Sequence, residues 1–228
     1  MKILEKIVWS VSKRARQKRA EIFRQNFKLN KTTKILDIGS ENGENINRVL
    51  GDTEILPNNV FIADIDAQVI KSGREKFGFQ SVLLDETGTL PFADNFFDIV
   101  YCSSVIEHTT ASKERVWEIS SEKEFQKTAW EKQKFLAKEI ERVGKAYFVQ
   151  TPSKNFPIES HTWLPMFSYL PRPLQIKILR LSNKYWIKKS LPDFNLLNSK
   201  DMRKLFPEAK IIFEKKFGLV KSIIAIKN

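Results

Sequence analysis

Few side chains in this 228-residue sequence could do chemistry, and most of them sit at the ends of short apolar runs. The stretch Asp37-Ile38-Gly39-Ser40-Glu41-Asn42-Gly43 places two glycines four positions apart, where a backbone can turn sharply and approach a ligand without a Cβ in the way. It is not a G-x-G-x-x-G dinucleotide loop, and it lacks the Lys-Ser/Thr of a phosphate-binding loop. A carboxylate, Asp37, opens it, which disfavours a pyrophosphate and suits a cationic or hydroxyl-bearing ligand. Asp64 is placed to accept hydrogen bonds from ribose hydroxyls, and Asp85 to accept from an exocyclic amine. The two histidines, His108 and His161, are the side chains whose proton affinity falls near neutral pH. Neither has a carboxylate at the tight spacing of a metal-ligand set, so no metal is expected. The single cysteine, Cys102, excludes a disulfide framework and a thiolate metal site.

These residues need elements to position them. Continuous apolar runs at 34–38, 60–64, 80–84, 98–102 and 146–150 read as buried strands, with helical stretches after the second and from about 122 to 142. Strands alternating with helices predict a parallel sheet covered on both faces. In such a sheet ligands bind beyond the carboxyl ends of the strands, where the acidic and glycine residues fall. Near the end of the chain, 210–214 and 219–226 are two strands separated by a few residues around Gly218, too short a link for a parallel crossover. They form an antiparallel hairpin. The predicted fold is α/β, a Rossmann-like doubly wound sheet of seven mostly parallel strands closed by this C-terminal hairpin. Residues 1–30 form a basic N-terminal helix, and 31–228 form one domain with an insertion at about 152–200.

Residues 35–108 resemble a class I S-adenosylmethionine-dependent methyltransferase of the type-11 family. The resemblance is carried by Ile35-Leu36-Asp37-Ile38-Gly39, Asp64-Ile65-Asp66, Leu84-Asp85, Leu90-Pro91-Phe92, Phe97-Asp98-Ile99-Val100 and Val105-Ile106-Glu107-His108. It implies S-adenosyl-L-methionine as cofactor, with Gly39 and Gly43 passing its methionine moiety, Asp64 on the ribose and Asp85 on the adenine amine. Asp37, Ile65, Glu86 and Ser103 complete the cofactor-binding set expected on that basis. Where the family loop usually has a third glycine this chain has Glu41, which keeps a cofactor-binding module without catalysis as an alternative.

Methyl transfer to a hydroxyl needs a base for the departing proton. The stretch from Asn155 to Pro165 is similar to the loop after the fifth strand in type-11 enzymes acting on sugars and polysaccharides. On that similarity His161 is the expected base, Glu159 orients it or binds the acceptor, and His108 and Trp163 shape the substrate side. The expected acceptor is a small molecule, a sugar or a lipid-linked compound, methylated at oxygen.

The net charge of +12 is unevenly spread. Residues 1–34 carry +9, residues 35–170 carry −7 and residues 171–228 carry +10. Two basic flanks around an acidic middle suggest contact with an anionic membrane surface, with an RNA methyltransferase as the alternative reading. Nucleic acid is the less favoured partner, because no base-stacking or groove-reading module is recognisable. The apolar and aromatic residues between 166 and 186 fit either the core of a small lid or an interfacial surface. No run of about 18 apolar residues spans a bilayer, and the N-terminal basic cluster follows its apolar stretch rather than preceding it, unlike a signal peptide. A cytoplasmic location, peripheral to the membrane, is expected.

Overall fold

A computed structural model describes residues 2–85, 87–186 and 188–228, with side chains from residue 13 onward. Helix α1 covers Lys2–Asn26, and β1 (Ile35–Ile38) leads through the glycine loop into α2 (Glu44–Leu50). Next come β2 (Val60–Asp64), α3 (Ala67–Phe77), β3 (Gln80–Leu83) and β4 (Phe97–Ser103). Helix α4 (Glu122–Val143) runs into β5 (Gly144–Pro152). The insertion holds α5 (Arg172–Tyr185), and α6 (Ser199–Leu205) precedes the hairpin of β6 (Lys210–Lys216) and β7 (Leu219–Lys227).

The seven strands form one sheet in the order β3-β2-β1-β4-β5-β7-β6. β1 pairs in parallel with β2 and with β4, β2 pairs in parallel with β3, and β6 pairs antiparallel with β7. The expected architecture is therefore present. The strand order reverses at β1, so the ligand-binding switch point of an open sheet falls beside the loop that Asp37 opens. All four residues of β1 are buried, which explains why its run is apolar apart from Asp37.

By packing, the chain divides into two compact units: residues 1–102, 141–148 and 228, and residues 103–140 and 149–227. In the first unit, Phe23 of α1 is fully buried and meets the edges of Tyr101 and Phe148, at 5.5 and 5.7 Å between ring centres. Tyr101 and Phe148 stack on each other at 5.2 Å. The Arg24 guanidinium donates to the Val49 carbonyl at the end of α2, at 2.7 Å, where the unpaired carbonyls of a helix attract a cation. The last turns of α1 are thus part of this unit's core.

In the second unit, Phe167, Leu179, Phe194 and Leu196 form a core that partly buries Trp117, Leu164, Leu170 and Ile178. Much of the insertion's apolar character is core packing within this unit. Met166, Tyr169, Leu181 and Tyr185 stay exposed. Buried Arg172 ties the insertion down, donating to the carbonyls of Ile119, Val116 and Pro192. A capping box of Asn198 and Asp201 starts α6.

If α1 is core rather than appendage, Phe23→Ala should cost about 3–5 kcal/mol of stability in urea denaturation, as for a fully buried aromatic. A loss below about 1 kcal/mol would mean that α1 contributes nothing to the core.

Candidate active site

The register of the parallel strands assembles the first group of residues. Asp37 lies opposite Ile62 and Ile38 opposite Ala63, so the chain leaves β1 just as β2 reaches Asp64. The Gly39 amide donates to the Ala63 carbonyl at 2.8 Å, and the Glu41 amide donates to Asp64 Oδ2 at 3.0 Å. Asp64 Oδ1 accepts from the Asp66 amide at 3.2 Å. Each oxygen of Asp64 keeps a lone pair for a further donor. Leu83 pairs with Asp64, which brings the end of β3, and Asp85 with it, to the same edge.

The loop has the backbone this arrangement requires. Gly39 and Gly43 have φ of 66° and 74°, in the left-handed region. Glu41, in place of a third glycine, also has a positive φ, 50°, and its side chain is exposed. The turn therefore survives the substitution, at the strain that a non-glycine residue bears in this region. Gly73 of α3 is a residue that sequence reasoning missed. A Cβ there would come within 2.8 Å of the Asn42 carbonyl and 2.6 Å of Ile62 Cδ1, so only glycine lets α3 lie this close behind the loop.

Asp37 is buried, and its Oδ2 has no hydrogen-bond partner among the described residues. Burial pushes its carboxyl from an ordinary 3.8 up to about 8, with the charges of Asp64 and Glu41 adding to the effect. Asp85 is exposed, and hydrogen bonds from the Thr87 hydroxyl and amide hold its carboxyl below the usual range. Ile65, at the end of β2, leaves 57% of its surface open, an apolar face beside Asp64. Glu86 lies outside the described residues.

Ser103 belongs to the second unit, where its hydroxyl donates to Gln150 Oε1 at 2.7 Å. The buried Nε2 of Gln150 has no partner among the described residues. The same unit gathers both histidines. His161 Nδ1 bonds to Glu159 Oε1 at 2.6 Å, and His161 Nε2 stands 3.6 Å from Glu107 Oε1. Both carboxylate side chains are fully buried, and the His161 ring is 14% exposed. The turn from Glu159 to Thr162 wraps the Glu159 carboxylate, which also accepts the His161 and Thr162 amides at 2.8 and 2.6 Å.

Burial alone would lower the proton affinity of His161, but Glu107 and Glu159 outweigh it and push its pKa up to about 9. Burial likewise pushes Glu159 upward, and the hydrogen bonds and charge of His161 hold it below its ordinary range. Without a ligand, the imidazole thus keeps its proton at neutral pH, balanced by two carboxylates. Phe194 stacks on His161 at 4.6 Å, and His108 meets His161 edge-on at 4.6 Å. His108 Nδ1 faces Asp193 Oδ1 at 3.3 Å, and Thr151 donates to Glu107 Oε2 at 2.9 Å.

Trp163 is half-buried with the Lys188 amine 5.0 Å above its ring. The structure therefore joins Glu159, His161 and His108 and adds Glu107, Thr151, Asp193 and Phe194. Of these additions, Glu107 was visible in the Val-Ile-Glu-His motif as a carboxylate among apolar residues. Asp193 and Phe194, far along the chain, had no local signal.

Residues 36–122 match the family model described as a methyltransferase domain. Among solved structures, magnesium protoporphyrin IX methyltransferase from Synechocystis PCC 6803 with bound S-adenosylmethionine is 12% identical with a TM-score of 0.55, over 100% of this chain and 85% of that one. The PH0226 protein from Pyrococcus horikoshii OT3 is 19% identical with a TM-score of 0.54, over 93% and 89% of the two chains. The CurJ carbon methyltransferase is 16% identical with a TM-score of 0.51, over 89% of this chain and 50% of that one. At these identities the likeness establishes the fold. No curated protein matches the chain in sequence.

Strand order, switch-point loop and matched stretch are those of the class I methyltransferase fold. Over residues 36–122 the chain is similar to a methyltransferase domain, a likeness that points to S-adenosyl-L-methionine as the methyl donor. This edge fits that cofactor: a buried carboxylate oxygen without a partner among the described residues, a loop with positive φ at Gly39, Glu41 and Gly43, and an open apolar residue next to Asp64.

An acid whose folded-state pKa lies above its unfolded one stabilises the fold while it is protonated. For Asp37 that contribution is complete below its ordinary 3.8 and is lost as pH rises to about 8. Asp37→Asn should therefore gain in melting temperature relative to the unliganded parent on going from pH 5 to pH 8. An unchanged difference between the two proteins would show that Asp37 ionises normally.

Proposed function

We propose that the enzyme methylates a hydroxyl oxygen of a small-molecule, sugar or lipid-linked acceptor, and that the cluster of Glu107, His161 and Glu159 receives the departing proton. The observation that carries this reading is a buried imidazole bonded to one buried carboxylate and facing a second, Glu107, whose Oε1 has no hydrogen-bond partner among the described residues. Two carboxylates to one imidazole leave the cluster short of positive charge even when His161 is protonated. A hydroxyl that donates to Glu107 Oε1 has its oxygen lone pair made more available.

When bound, S-adenosylmethionine supplies a methyl group made electrophilic by its sulfonium. This chain's residues contribute position and exclusion of water. Asp64 accepts the ribose hydroxyls, Asp85 the adenine amine, and Ile65 covers the base. Gly39 and Gly43 let the loop follow the methionine moiety, and Asp37 Oδ2 accepts from its ammonium. In the acceptor region, Glu159 fixes the His161 ring through Nδ1, Phe194 fixes its plane, and His108 and Trp163 shape the wall. The Glu41 backbone keeps its bond to Asp64, which supports a loop still shaped to hold the donor. Leu181 and Tyr185, 61% and 83% exposed on the basic helix α5, support the lipid-linked kind of acceptor and contact with an anionic membrane.

Incubating the protein with 13C-methyl S-adenosylmethionine and a cell extract fractionated into water-soluble and lipid pools tests this reading. The carbon shift of the labelled methyl should be that of an O-methyl group, and a label on nitrogen or carbon would refute oxygen as the acceptor atom. Asp64→Ala should weaken donor binding about tenfold or more, at the cost of about 1.4 kcal/mol or more for lost hydrogen bonds to a charged group. His161→Ala should leave donor binding intact and reduce turnover about 100-fold or more, because the proton-receiving cluster loses the imidazole that holds its two carboxylates together. Unchanged turnover in that variant would remove His161 from the proton path.

A further inference from the structure

The second unit holds a further arrangement that neither the domain match nor the donor edge accounts for. One donor atom each from Glu107, His108 and His161 lies within 4.8 Å of the other two. The remaining donor atoms of these side chains are already engaged. His161 Nδ1 bonds to Glu159 Oε1 at 2.6 Å, His108 Nδ1 faces Asp193 Oδ1 at 3.3 Å, and Glu107 Oε2 accepts from Thr151 at 2.9 Å. Nε2 of each imidazole and Oε1 of Glu107 carry no hydrogen bond among the described residues, and His161 Nε2 and Glu107 Oε1 face each other as an ion pair. Oε1 is buried without a hydrogen-bond partner among the described residues, 3.6 Å from His161 Nε2.

That separation is too long for a hydrogen bond. It is close to the spacing of two ligands on one ion, about 3.0–3.6 Å for metal–ligand bonds near 2.1 Å. A ligating histidine typically holds its other ring nitrogen against a carboxylate, which fixes tautomer and ring orientation. Both histidines here have such a carboxylate, Glu159 and Asp193. Phe194, stacked at 4.6 Å, sets the plane of His161 as well. The expectation of no metal rested on the spacing of two histidines along the chain, and the fold places Glu107 between them.

We propose that Glu107, His108 and His161 form a two-histidine, one-carboxylate site for a divalent transition-metal ion such as Zn²⁺, Mn²⁺ or Fe²⁺, with Glu159 and Asp193 as its outer carboxylates. Three protein ligands on one side leave coordination positions open, as in catalytic rather than structural sites. An ion there would take an acceptor hydroxyl as a further ligand and make it easier to deprotonate, with the proton passing to solvent because His161 Nε2 and Glu107 Oε1 are then ligands. The site stands on the side chains of the second unit alone. Metal binding without methyl transfer would leave it intact and refute only the acceptor reading above.

The test uses the full untagged chain, stripped with a chelator and titrated with Co²⁺ by visible absorption and with Zn²⁺ by equilibrium dialysis. One ion per chain should bind, with a rise in melting temperature that the chelator reverses. Affinity should fall about tenfold or more in His108→Ala, whose half-exposed ring can be lost without emptying the core, and in Glu107→Gln. Glu159→Gln should weaken binding about 10- to 100-fold through the orientation of His161. Circular dichroism separates these effects from misfolding, and His108→Ala decides the matter if Glu107→Gln does not fold. Absence of binding, or equal binding by the parent and His108→Ala, would overturn the proposal.

Discussion

Keeping a carboxylate out of water is costly unless something compensates it, and this constraint governs both units of the molecule. In the first unit, Asp37 is buried near the end of β1 with one oxygen unpartnered among the described residues. The Ser40 hydroxyl beside the carboxylate offsets part of that cost, and protonation or a ligand can supply the rest. In the second unit, Glu107 and Glu159 share a single imidazole, and a turn of backbone amides closes around Glu159. The loop glycines, the close approach of α3 at Gly73, and the stacking of Phe194 all serve to hold these carboxylates where they are.

The parts of the fold legible in the sequence are those whose signal is local. The apolar runs that became β1, β2, β4 and β5 could be read because a buried parallel strand needs both faces apolar, and the hairpin because its link is too short for anything else; β3, expected to be buried, is an edge strand with Gln80 and Leu83 exposed. The candidate donor edge was marked for the same reason: Asp37, Gly39, Asp64 and Asp85 each lie at or just beyond a strand end. Asp193 and Phe194 were not legible. They reach His108 and His161 only because the insertion folds back on itself around Arg172 and the Phe167 core, a contact with no period and no motif. Glu107 lay in view within a motif but could not be given a role, since its value depends on partners from β5 and from the turn at 159–162.

The basic flanks have a narrower meaning than the total charge suggests. α1 carries much of the N-terminal excess, yet its last turns are core, with Phe23 buried and Arg24 closing the end of α2. In α5, Ile176 and Leu179 face inward while Leu181 and Tyr185 stay in solvent among basic residues, an amphipathic division that core packing explains on one side only. Among the described residues no helix is long and apolar enough to cross a membrane.

The central claim is that the edge formed by Asp37, Gly39, Gly43, Asp64 and Asp85 is a donor site for S-adenosylmethionine. Isothermal titration of the purified chain with S-adenosylmethionine and with its demethylated product, S-adenosylhomocysteine, tests it most directly. Saturable binding of both at one site per chain is the predicted result. Failure of both to bind the folded protein would contradict the account at its first step.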